Sequence, residues 1–279
     1  IGLSVMRYKE IKPPVELDPY VKCFWFLNRD YKRIEDNEVL WPDGCYELIF
    51  HFGSSYEIND RKLEPEFLIG SLTRYHILNA KGNIRLFGIR LKPWGLKFFS
   101  DIDVKNLRNQ FLPLKDIFDN EKIKQVSKVI KGMDLEEGML VIKDFLIGLR
   151  NQKNNKELPF IKILSEIYDD PIGQDLQSVI EKSNYSRRQF ERKTTELTGL
   201  SPKKLSKVAR FNQVRLKIFF NPEIDLHDCM VDYGYYDYAH FSKDFKESIG
   251  LTPKEYKNWI LKKINLNNKQ NGVVFLQEE

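Results

Sequence analysis

The 279-residue sequence predicts an α+β protein with a β-rich N-terminal half and an all-helical C-terminal half. Three observations carry this prediction. Short apolar runs separated by turn residues fill about the first 110 residues, apolar residues recur at helical spacing from about residue 114, and one pattern occurs twice near the C-terminus. The length favours two domains. We place a β-rich sensor or dimerisation domain at 1–150, a linker at 151–159, a helical domain at 160–265 and a tail at 266–279.

Composition excludes several classes of protein. Hydrophobic residues make up 42% and charged residues 30% of the chain, which is typical of a folded globular protein. No apolar run approaches the roughly 18 residues that span a bilayer, and the N-terminus lacks the basic-then-apolar layout of a secretory signal. We therefore expect a cytoplasmic protein that does not contact membranes and whose three cysteines stay reduced.

Strands are predicted along the first third of the chain. Four runs carry the signal: 21–27, 45–52, 67–69 and 84–91. The second run alternates, which places Tyr46, Leu48, Phe50 and Phe52 on one face of a strand. Turn residues, mainly Pro, Gly, Asn and Asp, separate the runs. Short strands at this spacing are typical of a barrel or a sandwich.

Helices are predicted from there onward. Residues 122–131 and 135–150 have apolar residues at helical spacing, and they carry more of them than a linker needs, so we expect them to form a homodimer interface. The polar segment 151–157 lacks apolar residues and is predicted to be a linker. The later helices are predicted at 160–168, 175–182, 187–198, 202–220, 226–233, 238–248 and 253–263.

A repeat identifies the architecture of the C-terminal half. Residues 186–205 align with 237–256, and the alignment matches Gly199 with Gly250. In each copy a short helix, a tight turn and a second helix follow one another, which is the geometry that presents a second helix to a DNA major groove. The alternative is an ordinary pair of amphipathic helices, but two copies with the same turn and cap residues argue against it.

The charge distribution indicates a polyanionic partner. The whole chain has a net charge of +5, but residues 182–217 contain eleven Lys or Arg against two acids, a local charge of +9. Residues 223–247 contain two Lys against seven acids, a local charge of −5. A strongly basic helical segment in a near-neutral chain is typical of nucleic-acid binding, whereas a merely solvated helix face is the alternative.

Several motifs coincide in this region: 234–237, 239–241, 250–256 and the pair Arg210-Phe211. With them, residues 160 to about 259 resemble the AraC-type family of bacterial transcription regulators. The resemblance implies two helix-turn-helix units bridged by the long helix and bound to adjacent major grooves of double-stranded DNA. It also implies RNA polymerase as a partner and favours an activator, with repression left open.

Charge and resemblance together give a predicted DNA-binding set. The resemblance implies base contacts from Arg188, Glu191 and Arg192 in the first unit. In the second unit it implies contacts from the face that carries Tyr238. The full predicted set is Arg187, Arg188, Glu191, Arg192, Lys193, Lys203, Lys204, Tyr238, Ala239, Ser242 and Lys243.

Motifs at 42–50 and 88–95 resemble the cupin-like sensor domain of one AraC-type subfamily. The resemblance concerns architecture. Separately, the aromatic residues of the predicted barrel are a candidate lining for a small-molecule effector, with arginines of the 84–91 strand as candidate anchors for an acidic one. The candidate effector residues are Trp25, Trp41, Glu47, Arg85 and Arg90. The alternatives are that the aromatic residues form the barrel core and that an arginine forms a salt bridge with Glu47.

We expect no enzymatic activity, no cofactor and no metal site. Asp43 lies in a Pro-Asp-Gly turn, which explains it better than a catalytic pair with Glu47 does, and the four histidines are scattered. The alternative function is a small-molecule-binding or enzymatic β-barrel protein with helical extensions. A third possibility is a regulator that works through partner proteins without a ligand. The +9 cluster on the repeated pattern argues against the barrel alternative. Thermal unfolding with and without metabolite pools separates the third possibility from ligand sensing, because a ligand selective for the native state raises the melting temperature.

Overall fold

The computed structural model describes residues 7–31, 38–58, 61–150, 152–173 and 175–268. Its N-terminal half contains strands and its C-terminal half is helical, as the sequence predicts. The strands are β1 (Arg7–Ile11), β2 (Val21–Tyr31), β3 (Glu38–Leu40), β4 (Tyr46–Gly53), β5 (Tyr56–Ile58), β6 (Arg61–Lys62), β7 (Glu66–Ile69), β8 (His76–Ala80), β9 (Gly82–Leu91) and β10 (Phe111–Pro113).

Two antiparallel sheets form the N-terminal domain, which we call the β domain. One has six strands in the order β1-β2-β9-β4-β7-β10, and the other has four in the order β3-β8-β5-β6. The predicted alternation of β4 is confirmed. Tyr46, Leu48 and Phe50 join the core that extends to the helices, whereas Ile49 joins the core shared with the second sheet.

The helices fall close to their predicted positions. They are α1 (Asn120–Ile130), α2 (Leu135–Leu149), α3 (Leu158–Asp169), α4 (Leu176–Lys182), α5 (Arg187–Thr198), α6 (Pro202–Phe220), α7 (Leu226–Asp232), α8 (Tyr238–Ile249) and α9 (Pro253–Asn268). Side-chain caps explain the agreement. Asp175, Ser186 and Ser201 each accept a hydrogen bond from a backbone N–H in the first turn of the following helix.

The segment predicted as a linker is largely helical where it is described. Residues Gln152–Glu157 form a 3₁₀ helix, and α3 begins at Leu158. Arg150 donates a hydrogen bond to the side chain of Asn155 (3.3 Å), and Glu157 pairs with Lys193 of α5 at 2.5 Å. Polar residues here make specific contacts, so the absence of apolar residues did not indicate an irregular linker.

The packing ties the β domain to the helices. One continuous core runs from the β domain through α1 to α5 and the first half of α6, and it includes Phe24, Phe160 and Phe190. A separate core holds the second half of α6 with α7, α8 and α9. Within the described ranges, no helix is both long and apolar enough to cross a membrane.

Candidate nucleic-acid interface

The first helix-turn-helix unit consists of α4, a turn at residues 183–186, and α5. Asn184 has a φ of 59°, a left-handed conformation that Asn tolerates better than most residues. Ser186 and Gln189 form a reciprocal capping box at the start of α5. Gly199 ends the helix with a φ of 71°, where only glycine is free of strain.

The second unit repeats these devices. Gly234 has a φ of 68° in the turn between α7 and α8. Asp237 begins α8 by accepting a hydrogen bond from the backbone N–H of His240 (2.7 Å). Gly250 ends α8 with a φ of 77°. Turn, cap and terminal glycine therefore recur in both units, and the repeat seen in the sequence is a structural repeat.

Each recognition helix, α5 or α8, is anchored by a buried phenylalanine. Phe190 is fully buried, and its ring lies 5.1 Å from that of Phe160 on α3. Phe241 is fully buried, and its ring lies 5.0 Å from that of Tyr235 in the preceding turn. The opposite face of each helix is consequently turned to solvent.

The outward face of α5 carries four of the predicted DNA-binding residues. Arg187, Arg188, Glu191 and Arg192 are all exposed. Arg187 pairs with Glu191 at 3.4 Å and Arg192 pairs with Glu196 at 3.3 Å. Exposed pairs one helical turn apart are worth little, so phosphates or guanine edges can compete for these guanidinium groups.

The three lysines of the first unit and α6 that are predicted to bind DNA differ in their surroundings. Lys193 is half-buried against Glu157, with its ammonium group 5.4 Å from the centre of the Phe160 ring, so its charge is used inside the protein. Lys203 is exposed at the start of α6. Burial lowers the pKa of Lys204, and the nearby Lys207 charge lowers it further.

The outward face of α8 is less charged. Tyr238, Ala239 and Lys243 are exposed and Ser242 is half-buried. Burial raises the pKa of Tyr238, so its phenol stays neutral at physiological pH. This face therefore offers one lysine, where that of α5 offers three arginines.

The acids of the second unit are partly neutralised by α6. Asp244 is buried and lies 2.9 Å from the Lys207 ammonium group and 3.5 Å from the Arg210 guanidinium group. Lys207 also pairs with Glu247 at 3.0 Å. The local charges of +9 and −5 in the sequence thus partly cancel across the contact between α6 and α8.

We predict that the first unit dominates the electrostatic part of DNA binding. Each phosphate neutralised on duplex DNA contributes about 0.9 to the slope of log affinity against log salt, and α5 presents more exposed cations than α8 does. Arg187→Ala plus Arg192→Ala is expected to flatten this slope more than Lys243→Ala does, measured on one selected duplex. A larger flattening for Lys243→Ala would contradict the asymmetry.

The predicted effector residues are divided between two faces of the six-stranded sheet. Trp25, Trp41, Glu47 and Arg90 line one cavity of about 60 Å³. Arg85 instead donates hydrogen bonds to the carbonyl groups of residues 131 and 133, so it packs against the α1–α2 connection. The two arginines are five positions apart on β9, and side chains an odd number of positions apart point to opposite faces of a strand.

Arg90 forms the salt bridge that was the alternative to effector binding. Its Nε lies 2.7 Å from the Glu47 carboxylate and 3.6 Å from that of Asp43. Burial raises the pKa of Glu47, and the Arg90 charge opposes this shift. Trp41 also has a role that the sequence did not indicate: its ring packs on Tyr256, at 5.6 Å, in the core of the second unit.

A larger cleft lies between the β domain and α6. Its volume is about 600 Å³, and its lining residues include Lys12, Lys22, Arg90 and Lys217 against one acid, Glu10. Sequence reasoning missed this cleft because its two walls are more than a hundred residues apart. Among the residues that the structure describes, no cluster of three or more His, Cys, Asp or Glu is arranged to hold a metal ion.

Two segments of the chain match known families. Residues 180–258 match a family described as a helix-turn-helix domain, and residues 9–113 match one described as a domain of unknown function (DUF6597). No curated protein sequence matches the chain significantly. The helix-turn-helix match and the paired recognition helices support a DNA-binding transcription regulator.

Solved structures of ToxT from Vibrio cholerae are similar in fold. One is 13% identical, with a TM-score of 0.47 over 84% of this chain and 98% of ToxT. A second, from strain O395, is 13% identical with a TM-score of 0.47 over 90% and 99% of the two chains. A third, of ToxT bound to (E)-4-(8-methylnaphthalen-1-yl)but-3-enoic acid, is 14% identical with a TM-score of 0.41 over 93% and 100%. These likenesses are weak.

Proposed function

Because residues 180–258 form an AraC-type helix-turn-helix domain, we propose that the chain is a sequence-specific regulator that reads adjacent major grooves with α5 and α8. The observation that carries this proposal is the repeat of two capped, glycine-terminated recognition helices whose outward faces are exposed. Arginine forks suit guanine edges and phosphates. The aromatic and small residues at the start of α8 suit thymine methyl groups and groove shape.

Selection of binding sites from random-sequence DNA tests this function. The expected result is an enriched site with two parts separated by about one helical turn of roughly 10 base pairs, one part for each recognition helix. Enrichment of a single short half-site would mean that only one helix-turn-helix unit contacts bases specifically. A protein that enriches no sequence, while its melting curve is cooperative, would contradict the proposal.

The β domain is proposed to sense a small molecule. The cavity around Glu47 and Arg90 is far smaller than ordinary ligand pockets, which measure about 300 to 1,000 Å³. The cleft between the β domain and α6, at about 600 Å³, lies within that range. Apart from Arg90, which is paired with Glu47, three lysines line the cleft against one acid, and this favours an acidic effector. A ligand there would touch both domains at once.

The β domain and its trailing helices are also proposed to form a homodimer. Apolar side chains on α1 and α2 are unusually exposed: Val129 by 48%, Leu140 by 57% and Ile147 by 42%. Covering them with a second copy removes apolar surface from water. Dimerisation would let the weak contacts of two monomers with DNA add together.

Sedimentation of the full chain tests the dimer. At high micromolar concentration the parent is expected to sediment as a dimer, and Leu140→Glu as a monomer, because the substitution buries a charge in the interface. Lys122→Glu, an exposed change on α1, is the matched control and should leave the dimer intact. A parent that is strictly monomeric would contradict the proposal.

A further inference from the structure

The β domain contacts the first recognition helix at its C-terminal end. The Tyr46 hydroxyl of β4 donates a hydrogen bond to the carbonyl group of Thr198 (2.9 Å), and both groups are buried. Next to it, a Cβ on Gly199 would lie 2.5 Å from the carbonyl oxygen of Val104. Only glycine therefore permits this approach between α5 and the β domain.

The β domain contacts the second recognition helix at the equivalent end. The backbone N–H of Tyr75 donates a hydrogen bond to the carbonyl group of Ser248 (2.8 Å). The Tyr75 ring lies directly over Gly250, where an added Cβ would be 2.7 Å from it. Trp41 adds a ring contact with Trp259 at 5.8 Å. Gly199 and Gly250 are matched residues of the repeat. The β domain therefore contacts both recognition helices at equivalent positions, next to their C-terminal ends.

This docking leaves the DNA-reading ends free. The residues at the N-terminal ends of the recognition helices, Arg187 and Arg188 on α5 and Tyr238 and Ala239 on α8, are all exposed. In helix-turn-helix proteins the N-terminal residues of the recognition helix contact the base edges. The contacts with the β domain are therefore compatible with DNA binding. Because they lie at the C-terminal ends of α5 and α8, they fix the direction of each helix.

Without the β domain, the two units are joined mainly along one helix. Their cores are separate, and α6 passes from one core to the other. Within the second unit, α6 is tied to α8 by the shared core and by the ion pairs of Lys207 and Arg210 with Asp244. Long helices bend gently, so α6 by itself permits small changes in the angle between the units. Because the β domain contacts both units, it restricts changes in the angle between them.

We propose that the β domain sets the spacing at which the two recognition helices read DNA, with Tyr46 and Tyr75 as the positioning residues. This inference rests on the proposed function and adds a determinant of specificity that lies outside the helix-turn-helix units. Neither residue touches DNA in this scheme. Both residues hold the C-terminal ends of α5 and α8. Their effect is therefore expected in how affinity depends on the number of base pairs between the two half-sites.

The test uses a duplex selected from random DNA by the full-length parent, and versions of it with one to three base pairs inserted between its two parts. Affinity is measured for the parent, Tyr46→Phe, Tyr75→Pro and the double variant; proline removes both the ring over Gly250 and the backbone N–H that donates to Ser248. The parent is expected to lose about tenfold or more at the wrong spacing, because one unit then loses its base contacts. The double variant is expected to bind the original duplex several-fold more weakly and to lose much less on insertion.

The single variants guard against misfolding, since Tyr46→Phe removes only a hydroxyl group and Tyr75 is partly exposed. Tyr56→Phe, inside the β domain and away from both units, is the matched control and should follow the parent. A spacing profile in the double variant that equals that of the parent overturns this inference alone. Tighter binding by the double variant overturns it as well, because docking would then oppose DNA binding. A parent that selects no sequence overturns the proposed function together with the inference.

Discussion

Replacing Arg90 with methionine is expected to lower the free energy of unfolding by about 3 to 5 kcal/mol, the usual cost of removing one partner from a buried ion pair. Arg90 is only 4% exposed, and Glu47, Asp43 and Glu10 surround its guanidinium group. Methionine fills similar space but leaves the Glu47 carboxylate without a counter-charge. Denaturant unfolding of the parent and the variant measures the difference.

Two matched variants isolate the ion pair from the loss of packing. Arg85→Met changes an arginine on the opposite face of the same strand, whose partners are uncharged backbone carbonyl groups and the rings of Phe26 and Phe52, and it should cost much less. Adding Glu47→Gln to Arg90→Met removes the unpaired charge and should restore a substantial part of the lost stability. If Arg90→Met costs no more than Arg85→Met, the buried pair does not hold the β domain together.

The stability lost in Arg90→Met should also depend on pH, and the direction of this dependence follows from the titration of Glu47. Burial already raises the pKa of Glu47 in the parent, and loss of the Arg90 charge removes the influence that lowers it. A carboxylate with a raised folded pKa contributes stability at low pH and loses it as the pH rises through that pKa. The gap between parent and variant is therefore expected to be smaller near pH 4, where an unfolded glutamate is largely protonated, than at pH 7.

The helical half was predictable because its signals are local. A cap such as Ser186, a left-handed residue such as Gly199 and a 3.6-residue apolar period each depend on a few neighbouring residues. The repeat supplied the same signals twice, so α5 and α8 were placed correctly to within about one residue. The N-terminal sheets depend on pairing between distant strands, so their class was predictable but their order was not.

The parts that sequence reasoning missed are contacts across long separations. Nothing near Asp244 indicates that Lys207 neutralises it, and nothing near Trp41 indicates that it packs in the core of the second unit. One available signal was not used: Arg85 and Arg90 are an odd number of residues apart on one strand, so they could not share a pocket. The salt bridge of Arg90 with Glu47, by contrast, was among the stated alternatives and is confirmed.

Replacing Arg188 or Arg192 with alanine is expected to weaken sequence-specific DNA binding by about 1 to 3 kcal/mol each, the range for a bidentate contact between arginine and a base. Both side chains are exposed on the outward face of α5, opposite the buried Phe190. Arg192 must first leave Glu196, an exposed pair one helical turn away that costs little to break. The changes should not reduce stability noticeably, because neither side chain packs in a core.

Affinity for a selected duplex and for an unrelated duplex of equal length separates reading from simple charge attraction. A residue that contacts a base should lower the specific affinity and relax the preference at one position, whereas one that contacts only phosphate should lower both affinities alike. Lys128→Ala on the exposed face of α1 removes the same charge far from α5 and controls for the change in net charge. If Arg188→Ala and Arg192→Ala both bind the selected duplex as tightly as the Lys128→Ala control, then α5 is not the helix that reads the sequence, and the base contacts must come from α8, whose Tyr238 and Lys243 would be the next residues to replace.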